Sequence, residues 1–315
     1  MSALEVVGLG AMNMDYLYRV KKITTEGEQV VEDFKPMPGG SAANTIYRLA
    51  KLEINTGFVG VVGEDENGKA LLEDFEVVGV DTSQIQIKRR AKTGSTLCLS
   101  DKSGKRALYV LPDANSLLNT KDINLDYLKQ AKIVHLSSFT NDEQFNVQIN
   151  MARELAISTK IAFAPGMLYA LKGMGTLAPL IKRTHILFTN KPEIEQLTGK
   201  DFKAGAKDCL SQGCHIIAIT LGKGSTTKEG NIITSYICSD SEECKIKAEA
   251  PASRLQLETT GAGDAFAAGF LFGFLKGRKL EECGLLGNIM AQSAIGNLGA
   301  REGALSLAQI PPRYR

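Results

Sequence analysis

The chain has 315 residues, 43% hydrophobic and 23% charged, enough apolar material for the core of one large α/β domain or two smaller ones. With 37 basic against 35 acidic residues the net charge is +2, so no broad cationic surface exists for nucleic acid or a membrane, and a small-molecule ligand is expected. Six cysteines and three histidines are scattered without a Cys-x-x-Cys pair, which argues against zinc, and no charge-free run reaches the roughly 18 residues of a membrane span. The N-terminus enters a strand pattern directly instead of a charged and then apolar signal, so a cytoplasmic setting with reduced thiols is expected.

Aliphatic and β-branched runs at residues 4–9, 56–62, 133–136, 161–164, 186–189 and 216–220 read as strands. Between them, residues 41–52, 68–78, 142–157, 192–198 and 201–212 carry apolar side chains at three- and four-residue spacings and read as helices. This alternation predicts an α/β fold, a mostly parallel sheet with helices on both faces. Residues 14–34 and 94–111 break it with strand-like alternation, and the polar turn at 101–105 makes the second segment a hairpin. No repeat, low-complexity stretch or Pro/Ser-rich linker divides the chain. It reads as a single domain over 1–315 with lid strands inserted at about 14–36 and 94–111.

The first glycine pattern, at Gly8 and Gly10, lacks the third glycine and the following helix of a dinucleotide site, which argues against an oxidoreductase. Asn13 and Asp15 lie just past a strand's carboxyl end, where a carboxylate can accept hydrogen bonds from a polyol. A second glycine turn, Gly39-Gly40, opens a helix that Ser41 can cap. Asn44 falls in its first turn, where an amide can both donate to and accept from ligand hydroxyls. The same residues also fit an ordinary loop whose glycines supply positive dihedrals.

Near the C-terminus, residues 257–270 form a glycine-rich turn opening a strongly apolar helix, with Asp264 in its first turn. The amides of Gly261, Ala262 and Gly263 lack intrahelical acceptors and carry the positive end of the helix dipole, an arrangement suited to phosphate. Asp264 could simply complement the dipole. Beside a bound phosphate, however, a carboxylate is repulsive unless it has proton-transfer work to do.

Together Gly39-Gly40-Ser41-Ala42-Ala43-Asn44 and Glu258-Thr259-Thr260-Gly261-Ala262-Gly263-Asp264, in order and at opposite ends, resemble the two signatures of the ribokinase-like, or PfkB, family of carbohydrate kinases. Asn190-Lys-Pro-Glu193 is similar to that family's Asn-x-x-Glu, and the turn from Thr220 through Gly222 to Gly224 to its strand-end glycine turn. The resemblance implies a ribokinase-like fold with a small β-sheet lid and transfer of the γ-phosphate of ATP to a hydroxyl of a sugar or nucleoside. Asp264 would be the base and the amides of Gly261, Ala262 and Gly263 the anion hole. Asn13, Asp15, Gly39, Gly40 and Asn44 would hold the acceptor. Asn190, Thr220, Gly222, Gly224 and Asn288 would line the nucleotide, and Glu193 would help to hold Mg²⁺, largely through water. Asn190 and Glu193 equally fit a helix start.

Departures from the pattern narrow what the resemblance implies. Glu258 replaces the usual Asp near the monovalent-cation site, which argues against potassium activation. Ser41 replaces a lysine common in ribokinases, and Pro112-Asp113-Ala114-Asn115 looks like the family's Gly-Ala-Asn with its glycine replaced. A sugar kinase, a nucleoside kinase and a noncatalytic sugar-binding relative remain as readings, and pairing of two copies through the lid strands is compatible with each.

Overall fold

The computed structural model describes residues 3–103, 105–226, 232–247, 261–297 and 299–315. Strand β1 (Val6–Leu9) is followed by β2 (Asn13–Val20), β3 (Val31–Gly39), helix α1 (Ser41–Lys51), β4 (Thr56–Gly63), α2 (Glu66–Val77) and β5 (Asp81–Lys88). Next come β6 (Ser95–Asp101), β7 (Arg106–Leu111), the single turn α3 (Leu125–Leu128), β8 (Ile133–Ser137), α4 (Asp142–Glu154) and β9 (Lys160–Ala164). Then follow α5 (Gly166–Ala170), α6 (Gly173–Ile181), β10 (Thr184–Asn190), α7 (Lys191–Thr198), α8 (Phe202–Ser211) and β11 (Ile216–Thr226). The last elements are β12 (Ile232–Ser239), β13 (Glu243–Lys247), α9 (Ala262–Leu275) and α10 (Leu280–Ala294).

The large sheet has the order β13-β12-β11-β10-β9-β8-β1-β4-β5. From β11 to β5 every pairing is parallel. Parallel strands are covered on both faces, and accordingly β1, β4 and β8 are buried along their whole length. On one face α1, α2, α9 and α10 enclose a core around Ile46, Phe75, Phe266 and Phe270. On the other, α4 to α8 pack around Phe145, Phe163, Tyr169 and Ile194.

Several elements go beyond the sequence expectation, among them β5, α6 and α10. β12 and β13 extend one edge in antiparallel fashion, and β11 continues past the turn foreseen at residues 220–224 to Thr226. That continuation carries a register shift between Thr220 and Ser225, with Gly222 and Gly224 at positive φ, so the glycines make a bulge inside a strand.

The expected lid is a separate sheet ordered β3-β2-β6-β7. Residues 21–30 lie outside its strands, and β3 runs on to Gly39, so the lid ends where α1 begins. Its roots converge on Asn115. That buried amide donates to the Met12 carbonyl (3.0 Å) and to Asn13 Oδ1 (2.9 Å), and its own oxygen accepts from the Met12 amide (2.9 Å). Asp113 has φ 41 and so adopts the left-handed backbone that glycine takes more cheaply.

Candidate active site

Strand order reverses beside β1. From β1 the chain proceeds through β4 to β5 on one side, and β8 to β11 lie on the other. A crevice opens at such a switch point outside the carboxyl ends of the strands. Two glycine-rich helix starts face each other across it.

The first is the start of α1. Gly40, at φ 100, is the N-cap, and no side chain caps the helix, so Ser41 does not serve as the cap that its position suggested. Ser41 Oγ donates instead to Asp264 Oδ1 at 2.7 Å. Asn44 Nδ2 donates to Asp264 Oδ2 at 2.9 Å, and Thr45 Oγ1 reaches the Asp264 carbonyl at 3.3 Å. Both carboxylate oxygens of Asp264 are thereby held by one turn of the opposite helix.

The second is the start of α9. Gly261 is the N-cap at φ 76, and its carbonyl accepts the first helical bond from the Ala265 amide at 2.8 Å. A Cβ at Gly261 would press on Ala300, whereas one at Gly263 would meet open space. The helix start is thus wedged against the chain at Ala300 and bare toward the cavity. Thr259, Thr260 and Glu258, with the cation question attached to it, lie outside the described residues.

Between the helix starts lies a cavity of about 120 Å³ lined by Ser41, Ser138, Thr189, Asn190, Glu193, Thr220, Gly263 and Asp264, among others. Asn190 and Glu193 form a capping box at the start of α7, the local role anticipated as one of two. Glu193 N donates to Asn190 Oδ1 (2.9 Å), and Asn190 N donates to Glu193 Oε2 (3.0 Å). The cap does not remove them from the cavity wall. Gly222 and Gly224 lie further along β11, outside that wall. Asn288 is pinned at both ends, donating to Thr234 Oγ1 at 2.7 Å and accepting from Ser235 Oγ at 3.1 Å, which ties α10 to β12.

At the root of the lid, Asp15 on β2 is buried beside Gly39 of β3, and a Cβ at Gly39 would overlap its carboxylate. Burial pushes Asp15 up to about 6, against a hydrogen bond from Thr96 and the Arg301 charge. Burial also raises Asp264, opposed by the bonds from Asn44 and Ser41 and by Arg48 and Arg301, and it raises Glu193. Desolvation in a crevice favours the protonated form of each of these carboxyls.

Two arginines absent from the sequence reading complete the site. Arg48, fully buried, donates through Nη2 to the carbonyls of Ala300 (2.9 Å) and Glu302 (3.2 Å). Arg301 Nε donates to Asn44 Oδ1 at 3.1 Å. The only signal was positional, since Arg48 lies one helical turn beyond Asn44 and Arg301 directly follows Gly299-Ala300.

Fold and family together define an α/β phosphotransferase. Residues 3–306 match the family described as pfkB family carbohydrate kinase, and the chain belongs to that family. It is therefore a kinase whose acceptor is an alcohol group. An uncharacterized sugar kinase of Archaeoglobus fulgidus is 37% identical over 256 residues, covering 81% of this chain and 97% of that protein. A nucleoside kinase of Methanocaldococcus jannaschii is 25% identical over 298 residues, covering 94% and 92%. The structure of Arabidopsis thaliana ribokinase complexed with ribose and ATP has a TM-score of 0.80 at 23% identity, covering 97% of both chains, and so shares the ribokinase-like fold. No helix among the described residues is long and apolar enough to cross a membrane.

Proposed function

We propose that this kinase transfers the γ-phosphoryl group of ATP to a hydroxyl of a small sugar or polyol. The observation that carries this is the placement of Asp264, half-buried in the first turn of α9 and hydrogen-bonded to Ser41 and Asn44 of α1. An acceptor hydroxyl entering from the lid side takes the place of the Ser41 hydroxyl on Oδ1 and gives its proton to the carboxylate. As the new bond from the acceptor oxygen to the γ-phosphorus forms, the bond to the bridging oxygen breaks and ADP leaves. The amides of Gly261, Ala262 and Gly263 face the charge on the transferring group.

The residues present fit a hydrated Mg²⁺. Among the described residues no three His, Cys, Asp or Glu side chains gather closely enough to enclose a metal, whereas Glu193 and Asn190 edge the cavity beside Asp264. Bound there with phosphate oxygens and water completing its shell, Mg²⁺ would neutralise phosphate charge. Thr220 and the Gly222–Gly224 bulge would border the nucleotide, with Asn288 holding α10 in place behind them. Potassium activation is not part of the proposal.

Asn13, Asp15, Gly39, Gly40 and Asn44 form the acceptor side. Asn13 is oriented by Asn115 and Asp15 is a buried acceptor, which suits vicinal hydroxyls. A nucleoside acceptor is the second reading, favoured by Tyr16 and Phe34, whose lid rings stack with centroids 6.0 Å apart. We place the enzyme in the cytoplasm, in keeping with six free thiols. It pairs with a second copy through its lid, whose edge strands expose Phe34, Leu108, Tyr109 and Leu111. An ATP-consumption screen with Mg²⁺ over sugars, polyols, sugar phosphates and nucleosides tests the acceptor class. Turnover with nucleosides alone selects the second reading, and turnover with none overturns both.

A further inference from the structure

Asn44 lies between a group that can only donate and one that, when ionised, can only accept. On one side is the Arg301 guanidinium, whose Nε donates to Asn44 Oδ1 at 3.1 Å. On the other is the Asp264 carboxylate, whose Oδ2 accepts from Asn44 Nδ2 at 2.9 Å. An amide can turn end for end at little cost in a symmetrical setting. Here the turned amide would point N–H at N–H and carbonyl at carboxylate, losing both bonds and adding two repulsions.

Arg301 is itself over-determined. Its side chain is almost wholly buried, its Nη1 pairs with Asp74 of α2, and its Nη2 donates to the Gly39 carbonyl at 3.3 Å. The guanidinium lies against the rings of Tyr47 and Phe75, 5.2 and 4.9 Å from their centroids. The turn that presents it is gripped by Arg48 of α1 through the carbonyls of Ala300 and Glu302. A single side chain therefore contacts the end of the acceptor strand at Gly39, the partner of the base at Asn44, and helix α2.

We propose that Arg301 is a positioning residue of the phosphoryl transfer: by fixing the polarity of the Asn44 amide it holds Asp264 Oδ2, leaving Oδ1 as the oxygen that meets the acceptor hydroxyl. This rests on the reading of Asp264 as the base. The charged groups acting on Asp264 are Arg48 from α1 and Arg301, which favour the carboxylate, with Asp15 of β2 and Glu193 of α7 in electrostatic reach and opposed to it. A lysine could replace the charge of Arg301, but one ammonium cannot bond Asn44, Gly39 and Asp74 in a planar fork.

The test uses steady-state kinetics of the full chain with an acceptor from the screen, over a range of pH, together with ATP affinity measured by calorimetry. Arg301→Met is expected to lower kcat tenfold or more, to leave ATP affinity within about twofold, and to move the acid limb of kcat to higher pH. Arg301→Lys should keep the acid limb near its original position while recovering only part of kcat. Arg301→Met combined with Asn44→Ala should be no slower than Asn44→Ala alone, because the two act through one path. Additive losses in the double variant, or an unchanged kcat and acid limb in Arg301→Met while Asp264→Asn is inactive, would overturn the inference alone. Full turnover in Asp264→Asn would overturn both the base assignment and the inference. If Arg301→Met does not fold, Arg301→Lys decides, since Asp74 keeps a cationic partner: a severalfold loss of kcat supports the role and an unchanged kcat refutes it.

Discussion

Ser41 of α1 donates its hydroxyl to Asp264 Oδ1 of α9 across 2.7 Å, so one oxygen of this half-buried carboxylate already accepts from an alcohol. An acceptor hydroxyl has to displace or share that bond. With Asp264 as the proposed base, Ser41 marks Oδ1 as the oxygen expected to take the proton.

Ser41→Ala removes a bond that favours the ionised form of Asp264. The acid limb of the kcat profile is expected to move to higher pH, with kcat on the alkaline side within about tenfold of the parent. A pH profile whose acid limb stays in place or moves down contradicts this.

Asp15 gives a second and separable pH effect. Burial raises its carboxyl to about 6, so it loses its purely accepting character as the pH falls through that value. The KM for the acceptor should climb below pH 6 while the KM for ATP does not. In Asp15→Asn the acceptor KM should be raised about tenfold or more at neutral pH and the slope abolished; initial rates with each substrate varied in turn give the answer.

Much of the site was legible in the sequence because its parts are local. Gly39-Gly40, Asn44 and the turn from Gly261 to Asp264 are short patterns whose meaning comes from a helix start, and Asn190 with Glu193 spells a capping box within four residues. The double role of that box, cap and cavity wall, could not be separated without knowing what β10 and β11 bring beside it. Arg301 was not legible, because a charged residue in a C-terminal turn reads as solvated until the fold places it 257 positions back in sequence, on Asn44. Ser41 was misread for the same reason, its hydroxyl bonding a residue 223 positions away in place of its own helix. β12 and β13 carry no periodicity that tells an antiparallel edge from a loop, and their pairing with β11 is a tertiary choice.

His135, on β8, reports on the core. It is fully buried, and burial lowers it from 6.5 to about 4, only partly offset by the Ala162 backbone. Between those values the unfolded chain binds the proton and the folded protein does not, so stability falls on acidification from 6.5 toward 4 by about 3 kcal/mol. Asp15, raised when folded, acts in the opposite sense over much of the same range. The difference between His135→Leu and the parent in urea unfolding, measured from pH 7 to 4.5, isolates the histidine: the parent should lose stability relative to the variant as the pH falls. Parallel curves would show that His135 titrates alike in both states.

Pairing through the lid is tested by its exposed edge. Leu108, Tyr109, Val110 and Leu111 on β7 are all exposed. Sedimentation should find a dimer, and Tyr109→Asp with Leu111→Asp should yield a monomer with an unchanged melting temperature. A monomeric parent at micromolar concentration would contradict pairing through the lid.

The most direct measurement is the turnover of Asp264→Asn with ATP, Mg²⁺ and the acceptor that the screen identifies, accompanied by calorimetric titration of ATP. With Asp264 as the base, kcat falls by a factor on the order of 10² or more while ATP affinity changes little, as for a lost general base. A variant that turns over like the parent would remove Asp264 from the chemistry.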